Sequence, residues 1–380
     1  MKTNNRTQVS LADIFNKYAD EFINSHSLCV DQLKAIHAIR SCRTAVLGGH
    51  IRQCGQCGHQ QNAYNSCRNR HCNKCQYLKQ LIWVDKLKSR LPASRYFHVV
   101  FTLPSSLHKL IYLNPALCYD LLFKSSAQAV QKAASNPKHL GAYTGAVSVL
   151  HSWGQTLTYH PHIHMLVPAG GLSADRAEWI GSRKKFFLPV KVLSRIYRGV
   201  FWSMLQSLID QEKVRLPDGF TKDQIKKLVY QKDWNVYCKK SMASPHAVVQ
   251  YLGRYTHRVA ISNQRILSLK AGKVALSYKN YRTRLSGQII TLDAIEFIGR
   301  FVRHILPNGF YKIRYTGLLS CCNAKLIETC KQLLARPSHV SILDGLSAEE
   351  VYHVVSGKPS RICGKCRKGA METISEIPPG

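Results

Sequence analysis

The stretch Tyr159-His160-Pro161-His162-Ile163-His164-Met165-Leu166-Val167-Pro168 decides how the rest of the chain is read. Side chains of a strand alternate faces, so His162 and His164 point one way while Ile163 is buried on the other. Two imidazoles side by side on a stiff strand form half of a metal site. His160 shares their face only if the strand begins before Pro161, a residue that cannot donate to a ladder.

Working outward, Ala146-Val147-Ser148-Val149-Leu150-His151 reads as a second strand, and a turn around Trp153-Gly154 pairs it antiparallel with the first. His151 and Gln155 thereby approach the two histidines and join His160 as candidate third ligands. Arg95 to Leu103 is β-branched and aromatic, is ended by Pro104, and is expected as a central strand of the same sheet. Helices are expected over 11–47, Tyr77–Leu91 and 105–134. A basic connection over 173–240 contains helical patterns at 191–209 and 221–230, then a short strand at Trp234–Cys238 followed by Lys239 and Lys240.

Cysteines mark a second kind of site. Cys54/Cys57 and Cys72/Cys75 are two Cys-x-x-Cys knuckles, and four soft ligands at this spacing close a tetrahedron around Zn2+. His50, His59, Cys67 and His71 are further possible ligands. Arg52, Arg68, Arg70 and Lys74 lie among them and give the knuckles a basic surface suited to phosphate. Near the other end, Cys363-Gly364-Lys365-Cys366 is a possible C-terminal zinc ribbon, with Cys321, Cys322, Cys330 or His339 as the ligands it could borrow.

A second chemical motif starts at Pro245 and includes Tyr251-Leu252-Gly253-Arg254-Tyr255-Thr256-His257-Arg258. Ser244 can cap and Pro245 can occupy the first turn, so a helix is expected, with Tyr251 and Tyr255 one turn apart on one face. A packed aromatic pair would have this spacing too. Arg254, His257 and Arg258 beside the tyrosines favour a reactive role, since tyrosine oxygen can attack a phosphodiester whose charge is balanced by a metal ion and arginines. Farther on, basic strands are expected between 265 and 292, and Tyr278-Lys279-Asn280-Tyr281-Arg282 interleaves rings with cations as a single-strand binding surface does.

Composition sets the partner. Lys and Arg number 54 against 21 acidic residues, a net charge of +33 spread over 380 residues, and 45% of the chain is apolar. Such a surplus on a folded protein points to nucleic acid, and the lack of a long apolar run or lipidation signal argues against a membrane. Met1 to Ser10 lacks the apolar core of a secretory signal, so the expected compartment is a reducing bacterial cytoplasm, close to the nucleoid. There, 14 cysteines suit metal ligation and buried thiols better than disulfides.

In the order in which they occur, the knuckles at His50–Cys75, His151-Ser152-Trp153-Gly154-Gln155, His160-Pro161-His162-Ile163-His164, Tyr251-x-x-x-Tyr255 and Glu296-Phe297-Ile298-x-Arg300-Phe301 make the sequence resemble the HUH-type rolling-circle transposases of the insertion-sequence-ninety-one family. The resemblance covers most of the chain. It implies an α+β fold, an HUH endonuclease domain with a central antiparallel sheet flanked by helices, plus an N-terminal zinc-binding module. It also implies single-strand nicking and rejoining at element ends through 5′-phosphotyrosine intermediates, with Zn2+ as structural and Mg2+ or Mn2+ as catalytic ion. His162 and His164 match the family's metal pair and Tyr251 and Tyr255 its nucleophiles. Arg254, Arg258, Lys239, Lys240, Lys279 and Arg282 are the expected DNA contacts, to single-stranded transposon ends and target DNA. The expected units are a helical and zinc-binding part at 1–92, the nuclease at 93–300 with its basic insertion at 173–240, and a basic C-terminal region at 301–380. A plasmid relaxase or replication initiator would share this chemistry, and a zinc-dependent DNA-binding regulator would share the charge. A tyrosine recombinase would have no use for the His-x-His strand. Oligomeric state is left open.

Overall fold

The computed structural model describes residues 9–182, 188–242, 249, 253, 260–280, 283, 285–359 and 361–380. In chain order its strands are β1 (Gly49–Cys54), β2 (Gln60–Tyr64), β3 (Tyr96–Thr102), β4 (Gly145–Trp153), β5 (Tyr159–Pro168), β6 (Gly170–Leu172), β7 (Trp179–Gly181), β8 (Val236–Met242), β9 (Ile266–Lys270), β10 (Lys273–Tyr278), β11 (Gln288–Asp293), β12 (Ile313–Gly317) and β13 (Met371–Ile377). Helices used below are α1 (Leu11–Ser25), α2 (Val30–Ser41), α3 (Tyr77–Arg90), α4 (His108–Leu113), α5 (Pro115–Ser135), α6 (Val190–Asp210) and α7 (Lys222–Tyr230), followed by Ala294–Val302, Ala324–Leu334 and Ala348–Ser356.

The centre is a five-stranded sheet in the order β12-β4-β5-β3-β8, every neighbouring pair antiparallel. Alternation decides what each face does. Ile163, Met165 and Val167 of β5, with Phe97, Val99 and Phe101 of β3, turn toward α5 and α6 and pack on Leu122, Ala129, Tyr197 and Phe201. α5 is a long helix that begins with Pro115 in its first turn, where a missing N–H costs nothing. On the opposite face, Tyr96, Val147 and Leu166 are covered by Leu87 and Leu91 at the end of α3, by Ile327 and by Val249. Farther along that face stand His98, His151, His162 and His164, with Val100 and Val149 between them.

A second core joins α1, α2, strands β9 to β11 and the helix Ala294–Val302, with Phe15 edge-on to Phe301 at 5.4 Å. Ser10 and Asp13 cap α1 reciprocally, the Ser10 backbone N–H donating to Asp13 Oδ2 at 2.8 Å. The β4–β5 turn reaches this core through Leu157 and Trp153.

The architecture is thus α+β with a central antiparallel sheet and an N-terminal cysteine module, as the sequence led us to expect. The sheets do not respect a division at residue 300. β12 is an edge strand of the central sheet, and β13 pairs antiparallel with β1, from Gly49↔Ile377 to Cys54↔Met371. No described helix is long and apolar enough to cross a membrane.

Candidate active site and metal centres

Strand register places the histidines. His151 of β4 lies directly opposite His162 of β5, and His164 lies opposite Val149 on one side and Val100 of β3 on the other. Residues opposite one another share a face, so three imidazoles from two strands converge. One ring nitrogen each of His151, His162 and His164 fall within 4.8 Å of one another. Of the candidate third ligands, His151 joins the pair directly. Gln155 lines the cavity over the site, its Oε1 facing the Lys279 backbone N–H at 3.5 Å. His160 also lines the cavity, but its ring leans on His108, with centroids 5.8 Å apart.

Hydrogen bonds assign the tautomers. His162 Nδ1 donates to the His160 carbonyl at 2.6 Å, which leaves the Nε2 lone pair for a cation. His162 Nε2 and His164 Nε2 are 3.1 Å apart. A cation between them needs both Nε2 lone pairs, so the His164 proton must sit on Nδ1, and His98 Nε2, 2.8 Å away, accepts it. His98, on β3 and 3% exposed, was not singled out by sequence reasoning; a lone His in an otherwise apolar strand is the signal that marks it. Burial pushes His98 and His162 down to about 4 and holds His164 well below its ordinary value, so these rings are neutral at physiological pH. Three convergent imidazoles, two of them kept neutral by burial and set in an oriented proton network, suit a divalent ion.

Above them lies a cavity of about 520 Å3. Tyr237 and Lys239 of β8 and Arg265 form much of its rim, so the opening is basic and carries an aromatic ring that is 59% exposed. Tyr237 and Arg265 are additional to the contacts inferred from sequence. The turn between the histidine strands is gripped from outside. Arg265 donates to the Gln155 carbonyl, Arg300 Nη1 to that of Thr156 at 2.8 Å, and His304 Nε2 to that of Leu157 at 3.1 Å. Arg300 is itself held by Glu296 at 2.6 Å.

The cysteines group differently from their sequence spacing. Cys42, Cys67, Cys72 and Cys75 form one cluster, and Cys54, Cys57, Cys363 and Cys366 another, each with sulfurs within 4.8 Å of one another. The four cysteines expected around one ion are therefore divided two and two. The reason is topological: β1 carries Cys54 alongside β13 and away from the loop that folds Cys67, Cys72 and Cys75 onto Cys42 at the end of α2. Cys42 lay outside the sequence motif, having no close cysteine neighbour in the chain. Sulfur separations include 3.4 and 3.6 Å in the first cluster and 3.7 Å twice in the second. A tetrahedron with bonds of about 2.3 Å has edges of about 3.8 Å, so both clusters have the dimensions of a Zn(Cys)4 site and not of disulfides. His50, His59 and His71 stand outside both clusters; His71 Nε2 accepts from the Leu306 N–H at 3.4 Å and burial pushes it down to about 3. Nor does Arg70 face phosphate: its guanidinium binds the carbonyls of Leu306, Pro307 and Phe310. Arg52 pairs with Glu349 at 3.8 Å. Cys321 and Cys322 are exposed, while Cys330 is buried beside Leu172 and Leu318, and His339 bonds Asp85, so none joins Cys363 and Cys366.

Tyr251, Arg254, Tyr255, His257, Arg258 and Arg282 lie outside the described residues. Val249 and Gly253 are helical, with Val249 buried, and a Cβ on Gly253 would collide with Val84 of α3. Lys239 is at the cavity, and exposed Lys279 lies beside Gln155.

Residues 145–325 match a family model described as "Putative transposase", and residues 14–103 match one described as "Transposase zinc-binding domain". The chain is 39% identical to "Putative transposase y4qJ" of Sinorhizobium fredii (strain NBRC 101917 / NGR234), over 97% of this chain and 96% of that one. It is 29% identical to "Transposase for insertion sequence element IS801" of Pseudomonas savastanoi pv. phaseolicola, over 76% of this chain and 70% of that one. No solved structure matches it. An end-to-end likeness of this kind, with both family regions in their order on one fold, establishes that the chain belongs to the insertion-sequence-ninety-one (IS91) family of transposases.

Proposed function

We propose that this transposase nicks and rejoins single-stranded DNA at the ends of an insertion sequence, with Tyr251 and Tyr255 as nucleophiles. The observation that carries the reading is the convergence of His151, His162 and His164 under a basic cavity on a central antiparallel sheet. These three rings would hold Mg2+ or Mn2+, which when bound supplies Lewis-acid polarisation of a phosphate oxygen. His98 keeps the His164 proton on Nδ1, and the His160 carbonyl keeps that of His162 on Nδ1. Lys239 and Arg265 offer positive charge to the phosphates, and Tyr237 offers a ring on which a base stacks. Lys240, Lys279, Arg254, Arg258 and Arg282 extend that contact on sequence grounds.

In the reaction a tyrosine oxygen bonds to phosphorus, the bond from phosphorus to the 3′ oxygen breaks, and the proton lost by the phenol goes to the leaving 3′-hydroxyl. A 5′-phosphotyrosine keeps the energy of the broken bond. Attack by another 3′-hydroxyl then re-forms a phosphodiester and frees the tyrosine without a nucleotide cofactor. A second tyrosine four residues on permits a second cleavage while the first link persists. Support for the nucleophiles comes from their spacing, from the family resemblance, and from the helical state of Val249 and Gly253, which flank Tyr251 in sequence.

The test is incubation of the purified protein with Mn2+ and a labelled single strand carrying an element end. A covalent protein–DNA band on a denaturing gel is expected, lost in His162→Ala and in the double change Tyr251→Phe with Tyr255→Phe. Its persistence in the double variant would refute the assignment of nucleophiles. Double-strand binding with no adduct under any metal would leave a DNA-binding protein without this chemistry.

A further inference from the structure

The cluster of Cys54, Cys57, Cys363 and Cys366 lies half outside the zinc-binding region at residues 14–103 and wholly outside the region matched at 145–325. It unites cysteines some three hundred positions apart. We propose that a second structural zinc ion is shared by these two pairs and clasps the C-terminal segment onto the N-terminal module, so that the module is incomplete without residues 361–377.

Two matching knuckles meet there. After Cys54-Gly55-Gln56-Cys57 comes Gly58 at φ 66°, and its N–H donates back to the Cys54 carbonyl at 3.0 Å. After Cys363-Gly364-Lys365-Cys366 comes Arg367 at φ 58°, and its N–H donates back to the Cys363 carbonyl at 2.9 Å. A non-glycine residue holds this left-handed conformation only where the surroundings impose it. Each knuckle also aims a backbone N–H at a sulfur: Gln56 N at Cys54 Sγ and Gly369 N at Cys366 Sγ, both 3.4 Å. Such donors stabilise thiolate, the form that binds metal.

The surroundings are built for the same closure. Gly55 N–H donates to the Ala370 carbonyl at 3.2 Å, and β1 then pairs with β13 along its length. Gly369 permits the approach, since a Cβ there would fall 2.5 Å from Cys54 Sγ and 2.8 Å from Gln56 Cβ. Glu349 receives both Arg361, at 2.7 Å, and Arg52 of β1, at 3.8 Å. What the clasp lacks is apolar mass: its core is Cys54, Cys363 and Met371, with Cys366 against it. So small a core does not hold a strand by burial alone, and metal ligation supplies the folding energy that it does not.

The test is zinc content of the purified full-length protein. Two ions per chain are expected, falling to one in Cys363→Ser/Cys366→Ser and to one in Cys72→Ser/Cys75→Ser. An unchanged zinc content in Cys363→Ser/Cys366→Ser, or a single ion in the unaltered protein, would overturn the proposal. Alkylation of the unaltered protein during slow chelation does not depend on the folding of any variant. Cys57 is an exposed residue whose sulfur faces Cys363 at 3.7 Å, and a bound metal would shield that sulfur from alkylation. Cys57 should become reactive together with Cys366 and in a separate phase from Cys72 and Cys75. Release of Cys57 in one phase with Cys72 and Cys75, or its immediate reaction before chelation, would refute the shared site.

Discussion

Replacing His98 probes the histidine centre most directly, because its Nε2 lies 2.8 Å from His164 Nδ1 and fixes which nitrogen of that ring carries the proton. In His98→Leu the 2.8 Å bond from His164 Nδ1 is lost while the space stays filled. The free protein has a refuge: the His164 proton can move to Nε2, where His162 Nε2 accepts it across 3.1 Å. Binding a divalent ion then requires that proton to return to Nδ1, in a position 7% exposed and with the His98 acceptor removed. An unsatisfied buried donor costs about 1–3 kcal/mol, and the whole of it falls on the metal-bound state. Mn2+ affinity should therefore drop by about 10- to 100-fold, the range found when a metal ligand loses its orienting partner. Mn2+ titration by calorimetry measures the affinity, and strand cleavage against Mn2+ concentration measures the consequence. At saturating Mn2+ the cleavage rate should return toward that of the unaltered protein, since His98 does not touch the reacting atoms. His98→Gln, whose Oε1 can accept the proton, should recover part of the affinity. Unchanged Mn2+ binding in a folded His98→Leu protein with its full zinc content would refute both the tautomer assignment and the positioning role.

His151→Ala should weaken Mn2+ binding about as strongly as His162→Ala, whereas Gln155→Ala should leave binding nearly intact; the reverse order in a Mn2+ titration would move the third ligand from β4 to the turn. Stability should also fall in acid. Burial lowers His304 from 6.5 to about 4, so the unfolded chain takes up a proton between those values that the fold refuses. Its contribution is intact above pH 6.5 and is lost as the pH falls toward 4, by about 3 kcal/mol at full extent. The thermal midpoint should drop over that window, less steeply in His304→Gln, and a midpoint that ignores pH would contradict the assignment.

The local half of this architecture was legible in the sequence, and the non-local half was not. Alternation at His162 and His164 revealed a strand because one face is apolar and buried, and the short Trp153–Gly154 turn fixed its antiparallel partner and so brought His151 close. By contrast, Cys-x-x-Cys spacing shows that two thiolates share an ion without saying which other two complete it. Cys54 and Cys57 looked to Cys72 and Cys75 as the nearest pair, but β1 pairs with β13, and register on that strand carried them to Cys363 and Cys366. Cys42 ends α2 with no motif around it. His98 was hidden for the same reason: its value comes from β3 lying beside β5, where Val100 and Thr102 are the residues facing His164 and His162.

Glu296-Phe297-Ile298-x-Arg300-Phe301 reads in the sequence as part of an amphipathic helix, and the structure supplies the partners of each of its faces. Phe297, Ile298 and Phe301 anchor the helix in the second core, and Arg300 reaches back from it to the Thr156 carbonyl. Arg265 and His304 take the carbonyls on either side. Three successive carbonyls of a half-buried turn would otherwise need water as partner, and a turn bonded in that way is freer to shift. Ligand geometry at a divalent ion tolerates little shift, because bond lengths of about 2 Å must be met by two strands at once. The segment that follows the tyrosines in the chain thus braces the strands that carry the histidines. That coupling gives a physical reason for the two motifs to occur in one chain: the strands whose histidines would hold the proposed ion are braced by the part of the fold downstream of the proposed nucleophiles.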